Sequence, residues 1–141
     1  TMLMHQGART RKLYICTTTR NLAAYRQLRQ ALEFAPYEVQ DWTRFLPEPG
    51  PDFDQRKNED PHGAVFFYCS RALGGADLVV YLGPSGCDAS AELGIAWAAG
   101  VPVWGVAGPD EHPGVMIKGC VARWFPTLDA LIDELTRWRG W

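Results

Sequence analysis

The sequence predicts an α/β three-layer sandwich of the flavodoxin-like, Rossmann-like kind, with a five-stranded parallel sheet in the order 2-1-3-4-5. Short apolar runs rich in strand formers alternate with segments whose apolar residues recur at helical spacing, the pattern of successive right-handed βαβ units. The apolar runs are nearly continuous rather than alternating, as in parallel strands covered on both faces. With 141 residues, 47% of them hydrophobic, the chain has the material for one core of ordinary density.

The elements follow in order. Lys12 to Thr17 (KLYICT) reads as the first strand, and Leu22, Tyr25, Leu28, Leu32 and Ala35 mark the helix after it. Tyr37 to Trp42 reads as the second strand, closed by Pro47, Pro49, Gly50 and Pro51 in a long polar loop reaching about Asp60. Loops of that length are uncommon in compact domains and are often functional. A helix is expected from Pro61 to about Leu73, ended by Gly74-Gly75, before the strand Asp77 to Leu82. The turn Gly83-Pro84-Ser85-Gly86 leads into an Ala-rich helix over Asp88–Ala99, stopped by Gly100, and the strand Val101–Ala107 follows. Val115–Gly119 is ambiguous, Ala122–Phe125 is a weak last strand, and a helix from Thr127 carries Leu128, Leu131, Ile132, Leu135 and Trp138 on one face. Residues 1–11 read as a flexible tail and 12–141 as a single domain.

Composition narrows the function classes. The formal charge of −2 argues against broad binding to nucleic acid and leaves room for a local anion site. Eleven of the fourteen cations are Arg, the residue suited to forked recognition of phosphate or carboxylate. Cys16, Cys69, Cys87 and Cys120 are widely spaced, with no CxxC pair and no Cys/His cluster of zinc type. They suit reduced thiols in a cytoplasmic protein, and no apolar run is long enough to span a bilayer. No metal, cofactor, nucleic acid or membrane partner is expected.

In the 2-1-3-4-5 order the direction of winding reverses between strands 1 and 3, and ligands bind there at the carboxyl ends of the strands. The loops predicted to line that crevice are Thr17–Asn21 and Gly83–Glu92. In the second, Gly83 and Gly86 permit tight turns, Ser85 offers a hydroxyl, and the helix start presents unpaired N–H groups to an anion. The same residues also fit an ordinary turn capped by Ser85 or Asp88. Asp88 and Glu92, four apart, meet on one helix face, with small residues Ala89, Ser90 and Ala91 leaving space beside Glu92. An accessible carboxylate there can attack an anomeric carbon, as in retaining glycosyl transfer, while acidic residues also collect at helix starts for the dipole alone. In the first loop Thr17, Thr18, Thr19 and Arg20 suit a phosphate, or else Thr19 caps the helix and Arg20 covers its surface.

The run ADLVVYLGPSGCDASAELGIAWAAGVPV, residues 76–103, resembles the nucleoside 2-deoxyribosyltransferase superfamily, in which a strand and small loop lead to a catalytic Glu in an "ELG" helix. Tyr14 to Arg20 (YICTTTR) resembles the opening of the related 2'-deoxynucleoside 5'-monophosphate N-glycosidases. Together these stretches cover about a quarter of the chain. The resemblance implies that Glu92 is the nucleophile toward C1' of the sugar, that Tyr14 positions it, and that Ser85, Thr18 and Arg20 hold the 5' end. In the family an Asp handles the base or a sugar hydroxyl, and its place here is taken by Cys69, a poor hydrogen-bonding group and weak acid. Asp88, Asp60 or an acid from another subunit are the candidate substitutes. Asp77 matches the family and equally suits a structural role on nearby amides. Trp42 is placed to stack on a base, whereas Trp97, Trp104, Trp138 and Trp141 suit packing or interfaces, and His62 and His112 suit solvated loops.

The expected activity is cleavage or transfer at the N-glycosidic bond of a nucleoside or nucleoside 5'-monophosphate, in a homodimer or higher oligomer whose neighbouring subunit completes the site. The alternative is a catalytically silent nucleotide-binding module, for which Cys69 is the main support. A flavin protein of the same topology is a third and weaker reading.

Overall fold

The computed structural model describes residues 10–137. The predicted tail 1–11 therefore lies almost wholly outside the described residues, as do Trp138 and Trp141. Five parallel strands, β1 (Arg11–Cys16), β2 (Tyr37–Gln40), β3 (Leu78–Leu82), β4 (Val103–Val106) and β5 (Arg123–Phe125), form one sheet in the order β2-β1-β3-β4-β5. The helices are α1 (Leu22–Ala31), the single turn α2 (Phe53–Arg56), α3 (Ala64–Gly75), α4 (Cys87–Ala98), α5 (Val115–Cys120) and α6 (Leu128–Arg137), with 3-10 turns at Thr19–Asn21 and Trp42–Phe45.

The period-2 alternation of the strands divides the apolar residues into two cores. Leu13, Ile15, Leu78, Val80, Trp104 and Val106 face α1 and α6, where Leu28, Leu131 and Leu135 are buried. Tyr14, Cys16, Val79, Tyr81 and Val103 face the other way, onto Leu73 of α3 and Ala89, Leu93 and Ala96 of α4. The small residues Ala89 and Ala96 at two of these α4 positions bring that helix close to the sheet, and the Cys16 thiol at the end of β1 reaches Ala89 O at 3.5 Å.

Several boundaries differ from those predicted, each for a local reason. The second strand stops at Gln40 because the Asp41 carboxylate accepts from Thr43 N–H (3.0 Å) and Tyr25 Oη (2.7 Å). Trp42 thus opens a 3-10 turn instead of ending a strand. Helix α3 begins at Ala64 rather than Pro61, since Asp60 turns back to accept from the N–H groups of Val65 and Phe66, both at 3.0 Å, and Gly63 takes a left-handed φ of 68°. These bonds satisfy donors that a helix start leaves unpaired. At its other end α3 runs through Gly74-Gly75, held by the buried residues Leu73 and Ala76 on either side. Gly100, at φ 75°, follows α4 in the left-handed conformation, and β4 is shortened to Val103–Val106. The ambiguous segment Val115–Gly119 lies in α5.

Candidate active site

The carboxyl ends of β1 and β3 open into a cavity of about 400 Å³ lined by 18 residues, among them Tyr14, Thr17, Thr18, Arg20, Trp42, Cys69, Gly86, Asp88 and Glu92. Nine of the eleven site residues predicted from the sequence are thereby brought together. A larger hollow of about 900 Å³ lies beside it between α1 and the proline-rich loop, and holds none of them.

Glu92 sits on α4, one helical turn after Asp88, facing the buried end of β1. The Tyr14 hydroxyl donates to Glu92 Oε2 and also interacts with the Cys69 thiol. Burial pushes the Glu92 carboxyl up to about 7; the charge of Asp88 acts in the same direction, and the hydrogen bond from Tyr14 opposes it. Burial, reinforced by the neighbouring Glu92 charge, drives the Tyr14 phenol far above its ordinary range, so it remains a donor at any physiological pH. The Cys69 thiol is likewise raised, by burial first and by the charge of Glu92, against the hydrogen bond from Tyr14. It stands in the cavity as a neutral group.

The first loop supplies the other wall. Thr17 Oγ1 donates to Leu82 O (2.6 Å), and Asn21 Nδ2 reaches Gly83 O (3.2 Å), so the loop after β1 is tied to the end of β3. Thr18 and Arg20 remain open to the cavity. The Arg20 guanidinium approaches the start of α4 closely, at 3.7 Å from the position a Cβ on Gly86 would occupy. No side chain caps α4, and its first residues, Gly86 to Ala89, line the same cavity. The Trp42 indole lines the cavity while its Nε1–H donates to Ile15 O (2.7 Å) and its ring meets Tyr25 edge-on.

Two predicted residues lie elsewhere. The Ser85 hydroxyl donates to Tyr81 Oη (2.8 Å), and Tyr81 in turn donates to Glu111 Oε2. Gly83 packs on the loop after β4, where an added Cβ would fall 2.9 Å from Gly108 N and inside the Glu111 carboxylate. Both residues thus serve a junction between loops and do not line the cavity. Asp60, considered as a substitute acid, is committed to the α3 amides, and these bonds hold its carboxyl below the usual range. Asp77 accepts from Lys12 N–H at 2.8 Å, a structural contact. Trp104 is buried as expected, whereas Trp97 is exposed.

Sequence reading missed Phe45, Leu46, Lys57, Asn58 and Glu59, which line the cavity from the segment between β2 and α3, and Val65 in the first turn of α3. The unusual length of that loop was the one available signal. Among the described residues no group of three His, Cys, Asp or Glu stands together as a metal-binding cluster, and no helix is long and apolar enough to cross a membrane.

No protein-family model matches the chain, and no curated protein matches it in sequence. Solved structures do. A 2-deoxyribosyltransferase from Bacillus psychrosaccharolyticus superposes with a TM-score of 0.64 at 17% identity, over 86% of this chain and 90% of its own. A CMP N-glycosidase from Clostridium botulinum gives 0.63 at 14% identity, over 90% and 99%. A conserved protein from Enterococcus faecalis V583 gives 0.64 at 13%, over 89% and 97%. The five-stranded parallel sheet in the order 2-1-3-4-5, with helices on both faces, is thus a fold that the chain shares with these solved structures.

Proposed function

We propose that the cavity cleaves or transfers at the N-glycosidic bond of a nucleoside or nucleoside 5'-monophosphate. The observation that carries this reading is Glu92, a half-buried carboxylate held by one phenol in a cavity that the Thr17–Arg20 loop also lines. Two of the structural neighbours are enzymes named for deoxyribosyl transfer and for CMP N-glycoside cleavage.

The chemistry follows from the placement. Ionised Glu92 attacks C1' through one carboxylate oxygen as the bond from C1' to the base nitrogen breaks, its electron pair leaving with the base. The base takes a proton as it leaves, and Asp88, which lines the cavity beside Glu92, is the carboxyl assigned to pass that proton on from solvent. Water, or a second base, then attacks C1' of the glycosyl ester and releases Glu92. Tyr14 holds the carboxylate in line and stabilises its charge without itself losing a proton. Thr18 and Arg20 take the 5' end and Trp42 offers a face to the base.

Incubation with a panel of nucleosides and their 5'-monophosphates is expected to release free base, and Glu92→Gln to stop it. Failure of the whole panel would remove the enzyme reading. The second reading, a silent nucleotide-binding module, is favoured by Cys69, a neutral thiol against Tyr14 where the family carries an Asp. It predicts binding by calorimetry without turnover, and activity created by Cys69→Asp would instead identify the missing acid.

A homodimer or larger assembly in the cytoplasm is part of the proposal. Phe66 and Phe67 of α3, Trp97 of α4, and Val115 and Met116 of α5 are all exposed on the same side of the sheet, a concentration of apolar surface typical of an interface between copies. Sedimentation equilibrium checks it, a monomer at micromolar concentration being the contrary result.

A further inference from the structure

We propose that Lys57 is a second cation of the cavity's phosphate end and makes the protein select a nucleoside 5'-monophosphate over the unphosphorylated nucleoside. Lys57 lies just after α2, on the loop between β2 and α3, outside both motif-bearing stretches. Its side chain is drawn inward, 21% exposed, and its ammonium group donates to Thr19 Oγ1 at 3.3 Å. Thr19 is the residue before Arg20, so the contact places a lysine charge on the same loop as the guanidinium. Thr17, Thr18, Thr19, Arg20, Lys57 and Gly86 line one cavity.

The charges lining the cavity show why the lysine matters. Arg20 and Lys57 are its cations, while Glu59, Asp88 and Glu92 also line it. With Lys57 removed, one cation would face three carboxyl groups, and a phosphate dianion would enter an unfavourable potential. Arg20 makes no ion pair among the described residues, which leaves its fork open for an incoming anion. The present ion-pair partner of Lys57 is Asp54 at 3.3 Å, a carboxylate that is 89% exposed. Exposed pairs of this kind contribute little and are screened by salt, so a doubly charged phosphate displaces it readily. The long loop thereby has a role: it carries a cation from the outer side of β2 to the switch-point crevice.

The turnover part of this proposal rests on the N-glycosidic reading, whereas the phosphate-binding part does not, and the experiment separates them. Inorganic phosphate is titrated calorimetrically into wild type, Lys57→Met and Lys57→Arg, and base release is compared for matched nucleosides and 5'-monophosphates. Lys57→Met is expected to weaken phosphate binding roughly tenfold and to lower the nucleotide-to-nucleoside ratio of kcat/KM by a similar factor. Lys57→Arg restores both. Phosphate affinity that is the same in wild type and Lys57→Met overturns the proposal, as does a wild type that prefers nucleosides. Absence of any base release, with phosphate affinity still falling in Lys57→Met, removes the N-glycosidic reading and keeps the lysine site.

Discussion

Neighbouring strands β1 and β3 each carry, in their carboxyl-terminal halves, a buried tyrosine whose hydroxyl donates to a glutamate, yet the two pairs differ in their surroundings. Tyr81 binds Glu111, whose other oxygen accepts from Gly108 N–H (2.9 Å), while Ser85 donates to Tyr81 (2.8 Å). Both oxygens of that carboxylate are used, and the result is a clasp between the loops after β3 and β4. Tyr14 binds Glu92 Oε2, and among the described residues Oε1 has no hydrogen-bond partner and the group faces a cavity. A half-buried carboxylate with an open oxygen is costly to keep ionised, and its pKa is pushed up to about 7. The same residue pair is thus a latch where its polar atoms are all satisfied, and a carboxyl with a perturbed pKa and an open oxygen where they are not, the pattern that marks a functional-site candidate.

The largest effect that separates the pairs is on turnover. Glu92→Gln is expected to lower base release by on the order of a thousandfold or more, as for loss of a nucleophile. Glu111→Gln should keep activity of the wild-type order while losing about 1–3 kcal/mol of stability to broken, partly buried hydrogen bonds, readable by urea unfolding. Equal loss of activity in both variants would erase the distinction.

Next comes stability against pH. The folded-state pKa of Glu92 is raised above its ordinary 4.5, so the native state holds the proton more tightly than the unfolded chain. Its contribution is fully present below about 4.5 and is lost as pH rises through about 7, a change of up to about 3 kcal/mol. Glu92→Gln should therefore unfold at higher temperature than wild type at pH 8, with the two converging at pH 4 to 5. Parallel melting curves across that window would contradict the assigned burial.

The smallest contrast concerns the phenols. Tyr14→Phe removes the hydrogen bond that opposes the upward shift of Glu92, so the midpoint of kcat/KM against pH moves above about 7 and the rate falls roughly tenfold. Tyr81→Phe leaves the midpoint in place.

The same comparison explains what could be read from the sequence. Strands β1, β3 and β4 and helix α6 announce themselves through apolar runs or one-sided periodicity, and their alternation with helices fixes the switch point, and hence Tyr14 and Glu92. Ser85 and Gly83 were misplaced because Glu111, which claims that loop, stands in a Gly/Pro segment with no periodic signal, 30 residues from Tyr81. Lys57 was hidden for a similar reason, reaching Thr19 across 38 residues from a single helical turn. The motif residues belong to backbone positions dictated by fold class, while these others depend on where irregular loops bring single side chains. The boundary at Gln40 shows the same limit, being set by Asp41 bonding to Tyr25 on α1 rather than by strand propensity.

A covalent bond between Glu92 and the sugar is directly detectable. Protein turning over a 2'-deoxynucleoside 5'-monophosphate is quenched, digested and mapped by mass spectrometry. The expected result is a deoxyribosyl phosphate adduct on the peptide carrying Glu92, absent from Glu92→Gln. Base release with no adduct at Glu92, undiminished in Glu92→Gln, would contradict it.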